Sequence, residues 1–475
     1  MPARPPPAML LNMSTNSEAM PHGPTAIPPE STVEEQHLRQ IFVRSQMTQF
    51  VADPFVVERA DGLHYWDVHG KKYLDAISGI YVAALGHNNR RVIEAVRKQM
   101  DTLTFSPPMH GTNALAIQLA NRLAELAPGD LSAVKFCTGG AEATEAALKM
   151  ARQYHKLRGN ATKYKIISRY HGWHGCTMGS LSASGVSARK SGTEPLAPGF
   201  VHVFAPTCYR CPFGKSYPSC ELTCVTLIED VIELEDPDTV AAVIVEPIGN
   251  TGGIIDPPDE YLPQLRAICD RHDVLLIFDE IICGIGRTGQ LFAAETFGVV
   301  PDVLCIGKAL AGGYAPLSAV LSRRPVADTF WGDAANNPGF VSGHTFEGNP
   351  VACAAAIAVL DQIVEQDLCA NARKLGAYLR KKLEGLRDKH GIIGDIRGKG
   401  LLLGIEFVRD SATKERFDVP IGTLIGRRAQ VNGMLTRHDP HWLSLGPPLI
   451  IDKAVADEMI EILDQSIGEV LGSVA

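Results

Sequence analysis

Six short apolar runs, Ala133–Cys137, Lys165–Ser168, Val240–Val245, Val274–Phe278, Val303–Ile306 and Leu317–Leu321, carry no strict polar alternation. A strand with water on one face alternates, whereas a strand buried on both faces does not need to. Stretches of helical periodicity separate many of these runs, for example Glu142–Leu157 and Asp259–Arg271. Strands and helices in that order predict an α/β fold with a mostly parallel sheet covered on both faces.

The two ends of the chain read differently. Val56–Arg59, Leu63–Val68 and Lys72–Ala76 are broken by Asp61-Gly62 and His69-Gly70, which is meander or hairpin chemistry. After Asn349 come a long helix, strands at Leu401–Phe407 and Trp442–Leu445, and an amphipathic helix over Ala454–Val470. This predicts a large α/β domain over 86–335 and a smaller α+β domain assembled from 31–85 and 336–475. Ser31-Thr-Val-Glu34-Glu35 has the form of a helix start. Residues 1–30 hold eight prolines and little that could pack, and are expected to be a disordered or surface-draped arm.

Composition removes several function classes. With 45 basic and 53 acidic residues the formal charge is -8, which gives no general attraction to phosphate backbones or anionic membranes. No stretch approaches the roughly 18 consecutive apolar residues of a spanning helix. The start of the chain is too rich in proline for a secretory signal, and Arg4 is its only Lys or Arg before Arg39. Several of the 11 cysteines, such as Cys137, Cys269, Cys283, Cys305 and Cys353, lie in apolar runs. Free buried thiols fit a reducing compartment, so the cytoplasm is expected.

Gly284-Ile-Gly286-Arg-Thr-Gly289 matches a dinucleotide-binding pattern, but no second strand or suitably placed acidic residue follows it. It is read as a turn. Chemistry is expected elsewhere. Ile306-Gly-Lys308-Ala-Leu-Ala-Gly-Gly313 sets a lysine at the end of a buried strand among residues too small to shield it. A lysine in a partly dry pocket gives up its proton more readily and serves as an amine nucleophile toward a carbonyl cofactor. Leu275-Leu-Ile-Phe-Asp279-Glu280 ends another buried strand on two carboxylates. Alone, Asp279 could be a metal ligand or a helix cap; beside a Schiff-base lysine it could keep a pyridine nitrogen protonated. Phe136-Cys-Thr-Gly139-Gly140-Ala141-Glu142 leads from a strand into an Ala-rich helix, whose first N–H groups suit a phosphate. Lysine anchor, pyridine partner and phosphate cup are the set that a pyridoxal-phosphate enzyme requires.

Over residues 33–470 the chain resembles the class III pyridoxal-phosphate-dependent aminotransferases of fold type I. The motifs are F-C-T-G-G-A-E-A-T-E-A-A-L-K, Y-H-G-W-H-G, I-V-E-P-I, F-D-E-I-I-C-G-I-G-R-T-G, G-K-A-L-A-G-G, G-H-T-F-E-G-N-P and R-G-K-G-L-L-L-G. The resemblance implies a seven-stranded large-domain sheet and a composite small domain. It implies that Lys308 forms the Schiff base with pyridoxal 5'-phosphate and shuttles a proton, and that Asp279 pairs with the ring nitrogen. Tyr170 would stack on the ring, while Gly139, Gly140 and Ala141 would offer N–H groups to the phosphate. His171, Glu246 and Ile282 belong to the same cofactor surroundings. Thr345 would reach the phosphate of a neighbouring subunit, making a homodimer, or a tetramer of such dimers, the active form.

The departures bear on substrate. Relatives acting on 4-aminobutyrate or ornithine usually carry Gln where this chain has Ile282, and Glu where it has Thr251. That Glu pairs with a carboxylate-binding arginine matched here by Arg397, so the salt-bridge switch is expected to be missing. Asp-Glu-Ile-Ile-Cys-Gly is similar to the branch that moves amino groups from ω-amino acids or amines to pyruvate. Arg437 stands where that branch has a mobile arginine for the keto acid's carboxylate, although a surface loop charge is the other reading. Tyr81 matches an aromatic pocket wall of the branch. Gly139 replaces a common Ser, removing one hydroxyl contact. Two other reactions stay open on the motifs: a class III lyase or decarboxylase, and an aminotransferase using 2-oxoglutarate. A non-catalytic cofactor-binding protein is disfavoured because Lys308, Asp279 and the phosphate cup are all present. Partners are therefore expected to be a small amino donor and a keto acid, with neither nucleic acid nor membrane.

Cys208-x₂-Cys211-x₈-Cys220-x₃-Cys224 could place four thiolates around a structural zinc. Its inner gap is shorter than in common zinc ribbons, and free thiols with no metal are the preferred reading.

Overall fold

The structure, a computed structural model, describes residues 34–43 and 45–474. The expected arm at 1–30 and the Ser31 helix cap lie outside the described residues. The chain divides into two compact units, one of residues up to Glu58 with Asp67–Gly70, the other of Arg59–Trp66 with Lys71–Ala475. The first contains two short helices, Glu35–Leu38 and Met47–Ala52, the second capped by the Gln46 side chain on the Gln49 N–H at 2.8 Å. Everything below concerns the second unit.

Its centre is a seven-stranded sheet of β1 (Leu131–Cys137), β2 (Lys165–Arg169), β3 (Phe200–Val203), β4 (Val240–Val245), β5 (Leu275–Asp279), β6 (Val303–Ile306) and β7 (Ser318–Arg323), in the order β1-β7-β6-β5-β4-β2-β3. Strands β3, β2, β4, β5 and β6 run parallel, and β7 is antiparallel to both neighbours. This is the mixed α/β arrangement of fold type I. All six residues of β4 and all five of β5 are buried, which explains why neither alternates. Strand β3 is the edge that the sequence pattern does not reveal: only Val203 of its four residues is buried.

Helix α1 (Gly140–Leu157) packs its Ala-rich face on the sheet, and α2 (Tyr261–Arg271) inserts Leu262, Leu265 and Ile268 into the main core. After the sheet come α3 (Pro350–Glu365) and α4 (Leu368–His390). A four-stranded antiparallel sheet follows, built from β8 (Ile393–Lys399), β9 (Leu402–Phe407), β10 (Arg437–Asp439) and β11 (Trp442–Leu445) in the order β8-β9-β11-β10. Helix α5 (Lys453–Val474) closes the chain. Met434 and Leu435 pair in parallel with Leu74 and Asp75, so residues from both ends meet in one sheet. No helix among the described residues is long and apolar enough to cross a membrane.

The Gly284–Gly289 segment is a turn, as its context predicts. It carries Arg287 into the interior, where the guanidinium donates to the carbonyls of Leu401 and Pro447 and, at 3.2 Å, to Ser78. Burial lowers this guanidinium's pKa to about 10.

Candidate active site

Strand β6 ends at Ile306, and Gly307 and Lys308 turn out of the sheet into a single 3₁₀ turn, Lys308–Ala311. Lys308 has a φ of 45°, the left-handed region that non-glycine residues seldom occupy. Its side chain is half-buried, whereas Ala309, Leu310 and Ala311 are buried.

The parallel register places Asp279, the last residue of β5, beside Cys305 of β6. Asp279 is buried and accepts the Ile281 N–H at 3.1 Å. Its other oxygen lies 2.8 Å from Nδ1 of His174, itself buried. His174 is the functional candidate that sequence reasoning passed over, although it is the second histidine of Tyr170-His-Gly-Trp-His174-Gly. Its relation to Asp279 spans 105 residues and exists only in the fold.

Helix α1 begins at Gly140 with Gly139 as its cap. The Glu142 carboxylate reaches back to the N–H and hydroxyl of Thr138, at 2.8 and 2.5 Å, and to the Gly139 N–H at 3.3 Å. Burial alone would raise this carboxyl, but those hydrogen bonds outweigh it and hold the pKa below the usual range. The Gly139 N–H is thus directed at Glu142, leaving the N–H groups of Gly140 and Ala141, in the first turn, without an intrahelical acceptor. A Cβ on Gly140 would stand 3.0 Å from Ile281, and one on Gly307 would stand 3.1 Å from the same side chain. Ile281 therefore sets the helix start against the strand end that precedes Lys308.

Tyr170 leaves β2 with its ring 42% exposed, stacked on His202 at 5.5 Å between centroids. A Cβ on Gly185 would collide with the Arg169 carbonyl and the Tyr170 Cα, so glycine alone permits this close approach. Glu246, at the end of β4, accepts the N–H groups of Trp173 at 3.0 Å and Asn250 at 3.1 Å. Burial raises its pKa. Glu246 thereby ties segment 170–174 to segment 246–250. Ile282 is buried. Thr345 is exposed in the loop before α3, where the His344 N–H is held by Glu347 at 3.0 Å.

The substrate candidates separate. Tyr81 is fully buried, its hydroxyl 2.7 Å from Ser444 and its ring against Gly446, so it walls no open space within this chain. Arg397 is engaged despite Thr251: it donates to Asp395 at 2.9 Å, Glu406 at 2.7 Å and the carbonyls of Gly253 and Ile254. Two other carboxylates thus hold the arginine that a residue at position 251 was expected to leave unheld. Arg437 belongs to β10 rather than to a loop. It donates to Asn250 Oδ1 at 2.5 Å and lies 5.2 Å from the Trp442 ring. Its Nη2 is buried without a hydrogen-bond partner among the described residues. Thr251, His171 and Arg397 line a cavity of about 800 Å³.

Cys208, Cys211, Cys220 and Cys224 line one small pocket of about 20 Å³, and all are free thiols. Among the described residues no group of three His, Cys, Asp or Glu side chains is arranged to hold a metal ion.

The family model for class III aminotransferases matches residues 46–467. The taurine–pyruvate aminotransferase of Bilophila wadsworthia is 36% identical over 425 residues, covering 87% of this chain and 92% of that protein. Among solved structures, a thermostable (S)-enantioselective omega-transaminase from Thermomicrobium roseum superposes with a TM-score of 0.88 at 38% identity, over 92% of this chain and 98% of its own. The omega transaminase of Pseudomonas jessenii, solved in complex with PMP, gives a TM-score of 0.88 at 34% identity, over 93% and 97%. A match of this extent makes the chain an aminotransferase that belongs to class III.

Proposed function

We propose that this enzyme uses pyridoxal 5'-phosphate to move an amino group from an ω-amino acid or amine to pyruvate. The observation that carries the reading is Lys308 just past the end of β6, on the strand adjacent to β5, which ends on a buried Asp279 bonded to His174. The residues fit the group: a buried carboxylate suits a protonated ring nitrogen, and two N–H groups at the α1 start suit a phosphate. The relative solved with PMP, the amino form of this cofactor, supports the same assignment.

When bound, pyridoxal phosphate supplies a carbonyl carbon that takes up the amine and a ring that accepts the electron pair left at Cα. Lys308 Nζ would hold that carbon until the donor amine displaces it, and the freed Nζ would carry the proton from Cα to the former carbonyl carbon, across the intervening nitrogen. Asp279 keeps the proton on the ring nitrogen, and His174 fixes the direction of the carboxylate. Gly140 and Ala141 would hold the phosphate through their N–H groups, and Tyr170 would offer its ring face to the pyridine. Arg437, held to the protein by Asn250, accepts the carboxylate of the keto acid. With Arg397 already bound to two carboxylates, Arg437 is the better candidate for that role. Pyruvate as acceptor agrees with the taurine–pyruvate relative.

A homodimer in which Thr345 serves the neighbouring site is part of the proposal. Support comes from exposed Met100, Leu103, Phe105, Met109, Val341 and Phe346, an apolar surface of the kind that a partner covers. The free thiols favour the cytoplasm. The test is Lys308→Ala, which should abolish transamination while the cofactor still binds noncovalently. Steady turnover by that variant, without added amine, would remove Lys308 from the central role.

A further inference from the structure

Five guanidinium groups, those of Arg189, Arg210, Arg380, Arg397 and Arg416, line the 800 Å³ cavity. Four are engaged. Arg397 and Arg210 share Glu406. Arg380 donates to the carbonyls of Ile396 and Gly398 at 2.7 and 2.5 Å, and Arg189 lies over the Trp173 ring at 4.5 Å. Arg416 makes no hydrogen bond or ion pair with any described residue. The turn that presents it is nevertheless fixed. Arg409 pairs with Glu415 and, at 3.1 Å, with Asp418, while Lys414 donates to the Tyr209 carbonyl at 2.8 Å.

Around the same cavity, Thr251 Oγ1, the Tyr209 hydroxyl, Arg210 Nη2 and His441 Nδ1 are buried and find no partner among the described residues. These four residues thus line the cavity with polar side chains whose unpartnered atoms lie just behind its surface. His171 and His441 are held below the usual histidine range, by burial first and by the Arg416 charge next. Both are therefore neutral near pH 7, and Arg416 is the cation left to act. Of the carboxylates on the wall, Asp395 and Glu406 are paired with Arg397 and Asp439 lies 3.8 Å from Arg437, while Asp256 Oδ1 lies 3.9 Å from Lys399 and makes no hydrogen bond among the described residues. The walls also continue the active site, since His171 follows Tyr170 and Thr251 follows Asn250, which holds Arg437.

We propose that this cavity receives the acidic end of the amino donor, a carboxylate or sulfonate remote from the reacting amine, with Arg416 as its counter-charge and Thr251, Tyr209 and His441 in the polar wall around it. The identity of the bound molecule rests on the aminotransferase reading; the anion site does not. Its volume lies in the range of small-molecule sites. It separates the roles of the arginines, with Arg437 for the keto acid and Arg416 for the donor.

The test uses the full-length holoenzyme and the variants Arg416→Gln and Arg416→Lys, both at an exposed turn. Two quantities are measured: kcat/KM for 6-aminohexanoate and for hexylamine with pyruvate, and calorimetric binding of hexanoate. In Arg416→Gln the ratio of the two kcat/KM values should fall about tenfold or more, hexanoate should bind about tenfold more weakly, and Arg416→Lys should recover part of both. Equal losses for both amines, or hexanoate binding unchanged in Arg416→Gln, would overturn the proposal. If hexanoate binding falls in that variant although neither amine is turned over, the anion site stands and the donor reading fails.

Discussion

Two adjacent carboxylates at the end of β5 behave as different chemical species because their partners differ. Asp279 faces His174 at 2.8 Å, an arrangement suited to keeping a ring nitrogen protonated. Asp279→Asn should lower kcat by about a hundredfold or more, the scale of losing a positioned proton-holding group, while thermal unfolding stays close to that of the parent. Unchanged kcat would show that the ring proton does not depend on this side chain. Glu280 points the other way and accepts the N–H groups of Ala293 and Ala294, both at 2.6 Å. Burial pushes its pKa up to about 8. The folded state therefore binds a proton on Glu280 that the unfolded chain, near 4.5, has already released. This contribution to stability is fully present below about pH 4.5 and is lost as pH rises toward 8. Glu280→Gln removes the titration and turns an amide NH₂ toward one backbone donor, which should cost about 1–3 kcal/mol. Urea unfolding of parent and variant at pH 6 and pH 9 should give a larger stability difference at the lower pH. A gap that widens at pH 9 would contradict the assignment.

The start of α1 shows how one element joins the sheet to the site. Glycine at 140 lets Ile281 approach, and Ile281 also fills the space over Gly307. Gly140→Ala should force Ile281 aside and weaken cofactor binding about tenfold, read by fluorescence titration of the apoenzyme, and adding Ile281→Ala, which removes the Cγ2 that stands 3.0 Å away, should restore part of it. Failure of the second change to help would mean that the loss comes from the helix cap rather than from packing. This junction also marks how far the sequence is legible. Strand-end positions can be read from local pattern: β5 and β6 are short apolar runs, and Asp279 at the end of one and Lys308 just past the other are the residues proposed to act on the cofactor. Contacts across the chain cannot be read that way. The link of His174 to Asp279, and the engagement of Arg397 by Asp395 and Glu406, depend on which strands lie side by side. Local reading also failed where an element was too short for periodicity to register. Strand β3 has four residues with one buried, and the three-residue β10 carries Arg437, for which the local pattern left a substrate arginine and a loop charge both open. Tyr81, expected at a pocket wall, follows a kink with positive φ at Ser78 and Gly79 and is swallowed by the core.

For the molecule as a whole, the decisive question is whether one chain makes a complete site. Thr345 and the neighbouring Phe346 are exposed, and Phe346 lies 6.1 Å from Phe105 between ring centroids, with Met109 and Val341 exposed as well. Exposed apolar side chains of this kind are what a second copy would cover, and the proposed homodimer assigns Thr345 of one chain to the cofactor phosphate of the other. Complementation tests this directly. Lys308→Ala lacks the amine, and Thr345→Ala lacks the phosphate contact. In a mixed dimer, one site would combine Lys308 from the second variant with Thr345 from the first. Random pairing of equal amounts should make half of the dimers mixed, each with one intact site, so activity should reach about a quarter of the parent's. Above the mean of the two variants assayed apart, the gain should be about a quarter of the activity that Thr345→Ala loses. If Thr345 instead serves its own chain, the intact pair never forms and mixing adds nothing to that mean. A monomer by sedimentation that is nevertheless fully active would dispose of the shared site altogether.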